Sequence, residues 1–476
     1  MLTTAASLVP AAIVTPALAQ RPAARQPVAN VVTVGQTGTT RSLQDALALT
    51  YSSNPALQAA RAQLRATDEG VPQALAGWRP QVQLSANAGF AQGSVMQRGF
   101  GITPSDRHVN TEALQIQQPL YRGGQTRAAT NGAENKVIAQ RASLIASEQT
   151  AFLNAVNAFV GVIQAQQVLT LNINNEQVLT RQLQATQDRF RVGEITRTDV
   201  AQAEAALAGA SATRKTAEGN LQTARATYLQ VIGEEPGRLI EPQPLKLPAA
   251  NMPTATDMAE HNNPNVITAL FNNAAAKDNF DLQYGKLMPS VSLQGSLSRN
   301  ENTQTKGLTT NTAQIVAAVT IPIYQGGSEY AAIRQARQQQ EQTRKLISDA
   351  RRTAVQQVTS AWQTYVAAKA TIQSTNEQIR SNEIALEGVQ REAIVGSRTT
   401  LDVLNAEQTL LNSRVTLVQN LASLITASYQ VASAVGRLTA RDLALNVPLY
   451  DDTAYYKAVK NKLIGTGDYA TDQPGR

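Results

Sequence analysis

Cysteine is absent from the chain, which removes thiolate catalysis, disulfides, Cys-based zinc ligation and a lipidated N-terminal cysteine together. Aromatic residues are only 4% and charged residues only 16% of the chain, so a thick aromatic core is not expected. Plentiful Ala, Gln, Thr, Asn and Ser suit thin, closely packed walls. Proline is missing from every position between Pro119 and Pro236, and again between Pro322 and Pro448, leaving two long stretches free to be helical. No run of 18 consecutive apolar residues occurs, so no membrane-spanning helix is expected. The formal charge of +7 permits binding to nucleic acid or anionic lipid. Lys and Arg are scattered, however, without an aromatic-interleaved basic stripe, and no nucleic-acid partner is expected. Gly-x-Ser-x-Gly, a phosphate loop and His-Glu-x-x-His are missing too. His108 and His261 are isolated, lack metal-ligand spacing and are expected in exposed loops. The sequence points to no enzyme, no cofactor and no metal.

What is present is a duplication. VGEITRTDV, residues 192–200, returns as VGSRTTLDV, residues 395–403, and PLYRGG from Pro119 returns as PIYQGG from Pro322, both at an offset of 203. Upstream the offset is 209: SNPALQAA around Pro55 matches NNPNVITA around Pro264, and WRPQVQL around Pro80 matches LMPSVSL around Pro289. Six residues are therefore lost between Pro289 and Pro322. Halves of about 200 residues exceed solenoid units, which identifies a duplicated domain.

Within each half the period changes. Val82, Leu84, Ala86, Ala88 and Phe90 alternate with polar residues and Gly89, as do Val291, Leu293 and Leu297; return strands end before Pro119 and Pro322. The pattern predicts one hairpin of roughly ten-residue strands per half, the length of a membrane β-strand. The deletion between the paired strands predicts a shorter loop in the second hairpin. The proline-free stretches predict helices over about 125–190 and 198–232, the first roughly 100 Å long at 1.5 Å per residue. Val200, Leu207, Arg214, Leu221 and Tyr228 recur every seven residues beside Ala203, Ala210, Ala217, Ala224 and Val231. The twin stripes are Val403, Leu410, Leu417, Leu424 and Val431 beside Ala406, Ser413, Asn420, Ala427 and Ala434. A strict heptad implies left-handed supercoiling. Arg214 either faces a water-filled lumen or snorkels past alanines. Four strands cannot close a barrel, and an open sheet leaves unsatisfied edges in lipid. Closure requires further copies: two give eight strands and three give twelve.

At the N-terminus an apolar run from Ala5 to Val14 precedes Ala17-Leu18-Ala19, an A-x-A cleavage pattern before Gln20, although a basic n-region is lacking. The expected organisation is a signal peptide (1–19), an N-terminal linker (20–40), a first half-repeat of helix, β-hairpin and long helical hairpin (41–246), a second half-repeat (247–446) and a C-terminal tail (447–476).

An exported, duplicated chain of this kind, with Pro-Leu/Ile-Tyr-x-Gly-Gly leading into helical hairpins tipped by Val-Gly-x-x-x-x-x-Asp-Val, resembles the TolC family of outer-membrane efflux and type I secretion channels over about residues 41–446. The resemblance implies an α+β membrane protein with four β-strands per chain in a trimeric 12-stranded outer-membrane barrel. Long coiled-coil helices continue it as a periplasmic tunnel. It implies no cofactor. It implies outer-membrane lipid, a periplasmic adaptor (membrane fusion protein) and, indirectly, an inner-membrane transporter of RND or ABC type as partners. The function implied is a passive exit duct for small molecules or polypeptides.

By the same resemblance the helical tips form the closed periplasmic entrance. Asp402 occupies the first acidic-ring position and Asn405 the second, a departure; Arg398, Thr198 and Asp199 match gate partners, while Ala393 replaces a tyrosine. Val192-Gly193 and Val395-Gly396 are expected to dock the adaptor. Each feature also has a plain alternative. Thr196-x-x-Asp199 and Thr399-x-x-Asp402 are capping-box spacings, and the glycines supply turn geometry. Tyr121 and Tyr324 either join an aromatic belt at the membrane interface or pack on the Gly-Gly turns. Alternative functions are a non-transporting periplasmic coiled-coil scaffold, which needs no amphipathic strands, and an adaptor, which carries a single helical hairpin between lipoyl-like half-motifs.

Overall fold

Helices and strands change over where the sequence period changes. A computed structural model describes residues 41–97, 101–467 and 469; the expected signal peptide and linker lie outside the described residues. α1 (Leu43–Ser53), α2 (Pro55–Asp68), α3 (Gly70–Leu75) and a 3-10 turn (Ala76–Trp78) lead into β1 (Gln81–Gln97) and β2 (Gly101–Arg122). α4 (Gln125–Arg191) and α5 (Arg197–Ile232) form the helical hairpin that follows. The second half repeats the series as α6 (Met252–Asn262), α7 (Pro264–Gly285), β3 (Ser290–Glu301), β4 (Thr309–Thr320), α8 (Ser328–Ile394) and α9 (Thr400–Ala434), before a short α10 (Ala454–Val459). α4 and α8 each run 67 residues, about 100 Å at 1.5 Å per residue.

The alanine stripe is the buried seam of the first helical hairpin: Ala203, Ala210 and Ala217 are buried. Small side chains there let α5 approach α4 closely. Arg214 is partly buried at the seam, where it forms an ion pair with Glu176 of α4 at 2.6 Å and a second with Glu218. In the second hairpin the seam is partly polar. Asn382 donates to the Ser413 hydroxyl at 2.7 Å and Asn420 to that of Thr375 at 3.2 Å. The 203-residue counterparts of Asn382 and Ser413 are Leu179 and Ala210, which pack together with Leu404. One hairpin is therefore zipped by apolar contact where the other is zipped by hydrogen bonds.

The strands form one antiparallel sheet in the order β1-β2-β3-β4. The register places Val82 opposite Ile116, Leu84 opposite Leu114, Leu114 opposite Leu297 and Val291 opposite Val319. Directly opposed residues share a face, so most of the large apolar residues of the four strands lie on one side, where Val82, Leu84, Ile315 and Val319 are exposed, while Val316 falls on the other opposite Gln294. Gln83, Ser85, Gln115, Gln294 and Gln314 line the other side. The first hairpin departs from the expected ten residues: β1 has 17 and β2 has 22. The expected shorter loop in the second hairpin is also not found. The six missing residues shorten its strands to 12 each, joined by residues 302–308, whereas β1 and β2 pair as far as Gln97 and Gly101. A 12-residue strand at about 3.3 Å per residue, tilted about 45°, rises roughly 28 Å, close to the hydrocarbon thickness. The histidines are not in loops: His108 faces Phe90 across β1 and β2, and His261 ends α6 beside Asp257.

The few aromatics are concentrated. Tyr51, Phe152, Phe159 and Tyr228 meet Leu47, Leu57, Leu64 and Ile232 in a buried cluster where α1, α2, α4 and α5 cross. The corresponding second-half cluster is smaller and built on Ala255, Ala259, Val266, Val358 and Val435. Among the described residues α4 alone is long and apolar enough to cross a membrane, but Phe152, Val156, Phe159 and Val162 are spent on the core.

Both halves share one joint at this level. Asn54 accepts from the backbone N–H groups of Ala56 and Leu57 at 3.0 and 3.2 Å, capping α2, while its amide donates to Val231 O of α5 at 3.0 Å. Asn263 repeats this, accepting from Asn265 N at 2.9 Å and donating to Ala434 O of α9 at 3.0 Å. One side chain thus caps the start of one helix and the end of another.

Candidate functional site

The far ends of the two helical hairpins are built alike. At the first, Gly193 takes φ +81° and Glu194 N donates back to Arg189 O at 3.0 Å; at the second, Gly396 takes φ +81° and Ser397 N donates to Glu392 O at 3.0 Å. A left-handed residue closing such a bond ends a helix, and glycine adopts it without a Cβ clash. Val192 and Val395 beside these glycines are each 78% exposed, placing an aliphatic side chain on each tip.

The next helices start with the capping boxes. Thr196 N and Oγ1 donate to the Asp199 carboxylate at 3.0 and 2.7 Å, and Thr399 N and Oγ1 donate to that of Asp402 at 3.0 and 2.9 Å. Hydrogen bonds from the Thr196 hydroxyl and backbone hold Asp199 below the usual carboxylate range. The Thr399 backbone and hydroxyl do the same to Asp402. Both acids complete the capping boxes of their own helices from the N3 position.

Charge at the tips is exchanged between halves. Arg189 pairs with Glu194 at 2.7 Å in the first. Glu392, the 203-residue counterpart of Arg189, pairs with Arg398 at 2.9 Å in the second. Within one chain Arg398 is therefore bound inside its own tip rather than to Thr198, which is exposed, as is Asn405. Glu194 and Glu392 were not singled out from sequence; the reversed charge of Arg189 and Glu392 at matched positions was the signal for Glu392, whereas Glu194 matches Ser397 and had none.

At the opposite end, a register shift between Pro119 and Tyr121 sets Tyr121 opposite Val291. The extra residue turns Tyr121 onto the apolar face instead of the glutamine face. Tyr324, beyond β4, is 76% exposed. Among the described residues no group of acids and histidines is arranged to hold a metal ion.

An apolar outer face and helices about 100 Å long describe a protein that enters a membrane by its sheet and leaves it by its helices. The model of the family described as outer membrane efflux protein matches residues 46–234 and 255–437. The chain belongs to that family. It is 36% identical over 441 residues to the outer membrane efflux protein BepC of Brucella suis, covering 92% of this chain and 94% of BepC. It is 25% identical to the outer membrane protein TolC of Escherichia coli, covering 83% and 82% of the two chains. The solved CmeC outer membrane channel of Campylobacter jejuni shares the fold, with a TM-score of 0.74 at 16% identity over 88% of this chain and 89% of that one. As an outer membrane efflux protein, the chain is a channel component of the efflux and secretion class, located in the outer membrane with its helices in the periplasm.

Proposed function

We propose that three copies assemble into a twelve-stranded barrel continued by a helical tunnel. Its tips meet a periplasmic adaptor, through which an inner-membrane transporter of RND or ABC type feeds cargo to the exterior. The single observation that carries this reading is the open sheet: among the described residues β1 and β4 each have a bare edge, and bare edges in lipid must be paired. The Gly-Gly turns support it. In the first half, a Cβ on Gly123 would overlap the carbonyl oxygen of Gly285, so the turn is pressed against α7. In the second half, a Cβ on Gly326 or Gly327 meets nothing within 4 Å. α7 fills the gap between α4 and α8, and the matching place beyond α8 is free for the first-half helices of the next copy.

At the entrance, three copies of Asp402 form the one acidic ring left once Asn405 replaces the second, and Arg398 and Thr198 latch neighbouring helices. Val192, Gly193, Val395 and Gly396 form the adaptor-docking rim, and Tyr121 and Tyr324 sit at the lipid interface. Gly326→Leu tests the assembly. It should abolish the heat-resistant trimer while leaving the helical circular dichroism of the chain intact; persistence of the trimer rejects this interface.

A further inference from the structure

The chain end follows a path that the duplication does not explain. Tyr450 N donates to Tyr51 Oη at 2.9 Å, and Tyr455 Oη to Glu69 at 2.9 Å. Lys460 Nζ donates to Glu134 of α4 at 2.9 Å, and Arg79 Nη1 to Lys462 O at 3.0 Å. The first-half partners Tyr51, Glu69 and Arg79 lie successively on α1, after α2 and just before β1. The tail therefore climbs from the buried cluster of α1, α2, α4 and α5 to the root of the sheet. There it presents Leu463 and Ile464, 72% and 89% exposed.

Adjacent exposed aliphatics at that level are not isolated surface residues. Trp78, next to Arg79 in sequence, is 44% exposed, and its carbonyl is held by Gln118 of β2 at 2.9 Å. The register shift at Tyr121 turns a second aromatic outward at the same end of β2. Lys462 and Arg79 adjoin the pair, while Lys460 is neutralised by Glu134; an aliphatic tip with a basic shoulder suits a phospholipid surface. We infer that Leu463 and Ile464 insert into the periplasmic leaflet of the outer membrane, giving each copy a lipid contact outside the barrel. This rests on the sheet being the membrane-inserted part; the occupant is lipid because the patch lies at the root of that sheet, held through Lys462 O by Arg79, two residues before β1.

The absence of cysteine permits single labelling sites. Ile464→Cys, Val319→Cys on the outer sheet face and Val192→Cys at the tip would each carry an environment-sensitive fluorophore in the full chain, reconstituted in vesicles with and without acyl-chain-brominated phosphatidylglycerol. The labels at 464 and 319 should be blue-shifted and quenched severalfold more than the label at 192. Quenching at 319 but not at 464 overturns tail insertion and leaves the barrel standing. A blue shift at 464 without lipid quenching also overturns it, assigning the patch to contact with another copy. No quenching at 319 removes the barrel reading and this inference with it.

Discussion

Replacing Asn263 by alanine removes two connections at once. The side chain is 3% exposed, caps α7 through Asn265 N and holds the last turn of α9 through Ala434 O. Loss of an N-cap costs about 1 kcal/mol, and an abandoned buried carbonyl adds about 1–3 kcal/mol. The local total is about 2–4 kcal/mol per chain, or about 30- to 700-fold in the opening equilibrium at about 1.4 kcal/mol per tenfold. Amide exchange of residues 265–267 and 431–436 in the detergent-solubilised protein should accelerate by that order, with little change at the tips. Asn54→Ala breaks the same bonds at a part-buried position, where water can replace the donor to Val231 O; about 1–2 kcal/mol is expected. Asn263→Asp keeps the cap but sets a carboxylate against the Ala434 carbonyl, and should be no milder than alanine. Exchange at the second joint within threefold of the parent, or a larger effect from Asn54→Ala, refutes the reasoning.

Gly233 and Gly436 are matched by the repeat and both have positive φ, +90° and +79°. A Cβ at Gly436 would overlap the Asn262 carbonyl oxygen, whereas at Gly233 it meets only Ser53 Oγ at 3.7 Å. Gly436→Ala should therefore lower the thermal midpoint clearly more than Gly233→Ala, and equal midpoints would count against a tight second joint. Asp68 is 0% exposed with neither carboxylate oxygen hydrogen-bonded, and burial raises its pKa from 3.8 to about 6. A carboxyl raised on folding contributes most stability when protonated, below about pH 4, and loses it as pH rises through about 6. Asp68→Asn should stabilise the protein at pH 8 by up to about 3 kcal/mol and flatten the slope of stability between those limits; an unchanged slope contradicts the assignment. In planar bilayers Asp402→Asn should remove most multivalent-cation block, Asn405→Asp should strengthen it and Arg398→Ser should raise resting conductance. Block that ignores both ring substitutions leaves Asp402 only as the cap of α9.

The helical part of the fold is legible because its signals are local. Missing prolines set the extent of α4 and α8, the heptad of Ala203, Ala210 and Ala217 marks the buried seam, and Thr-x-x-Asp marks the start of α5 and α9. The sheet is legible where alternation is clean, from Val82 to Phe90 and from Val291 to Leu297. It is underestimated where β1 and β2 continue through GSVMQ and ITPSDR, which keep the strand conformation without an apolar period. The joints are hidden for a different reason. Asn54 and Asn263 show as matched Asn-Pro pairs, but their second partners, Val231 and Ala434, lie 177 and 171 residues away. Arg214 on the seam reads as a solvent residue because Glu176 belongs to the other helix. Tyr121 turns outward only through a register shift, which no composition announces.

The central claim is that one sheet with two bare edges is completed by two further copies. Native mass measurement of the protein extracted from the outer membrane in a mild detergent tests it most directly. The account predicts a single species of three chains that conducts when reconstituted into bilayers. A folded monomer or dimer that inserts and conducts would contradict it.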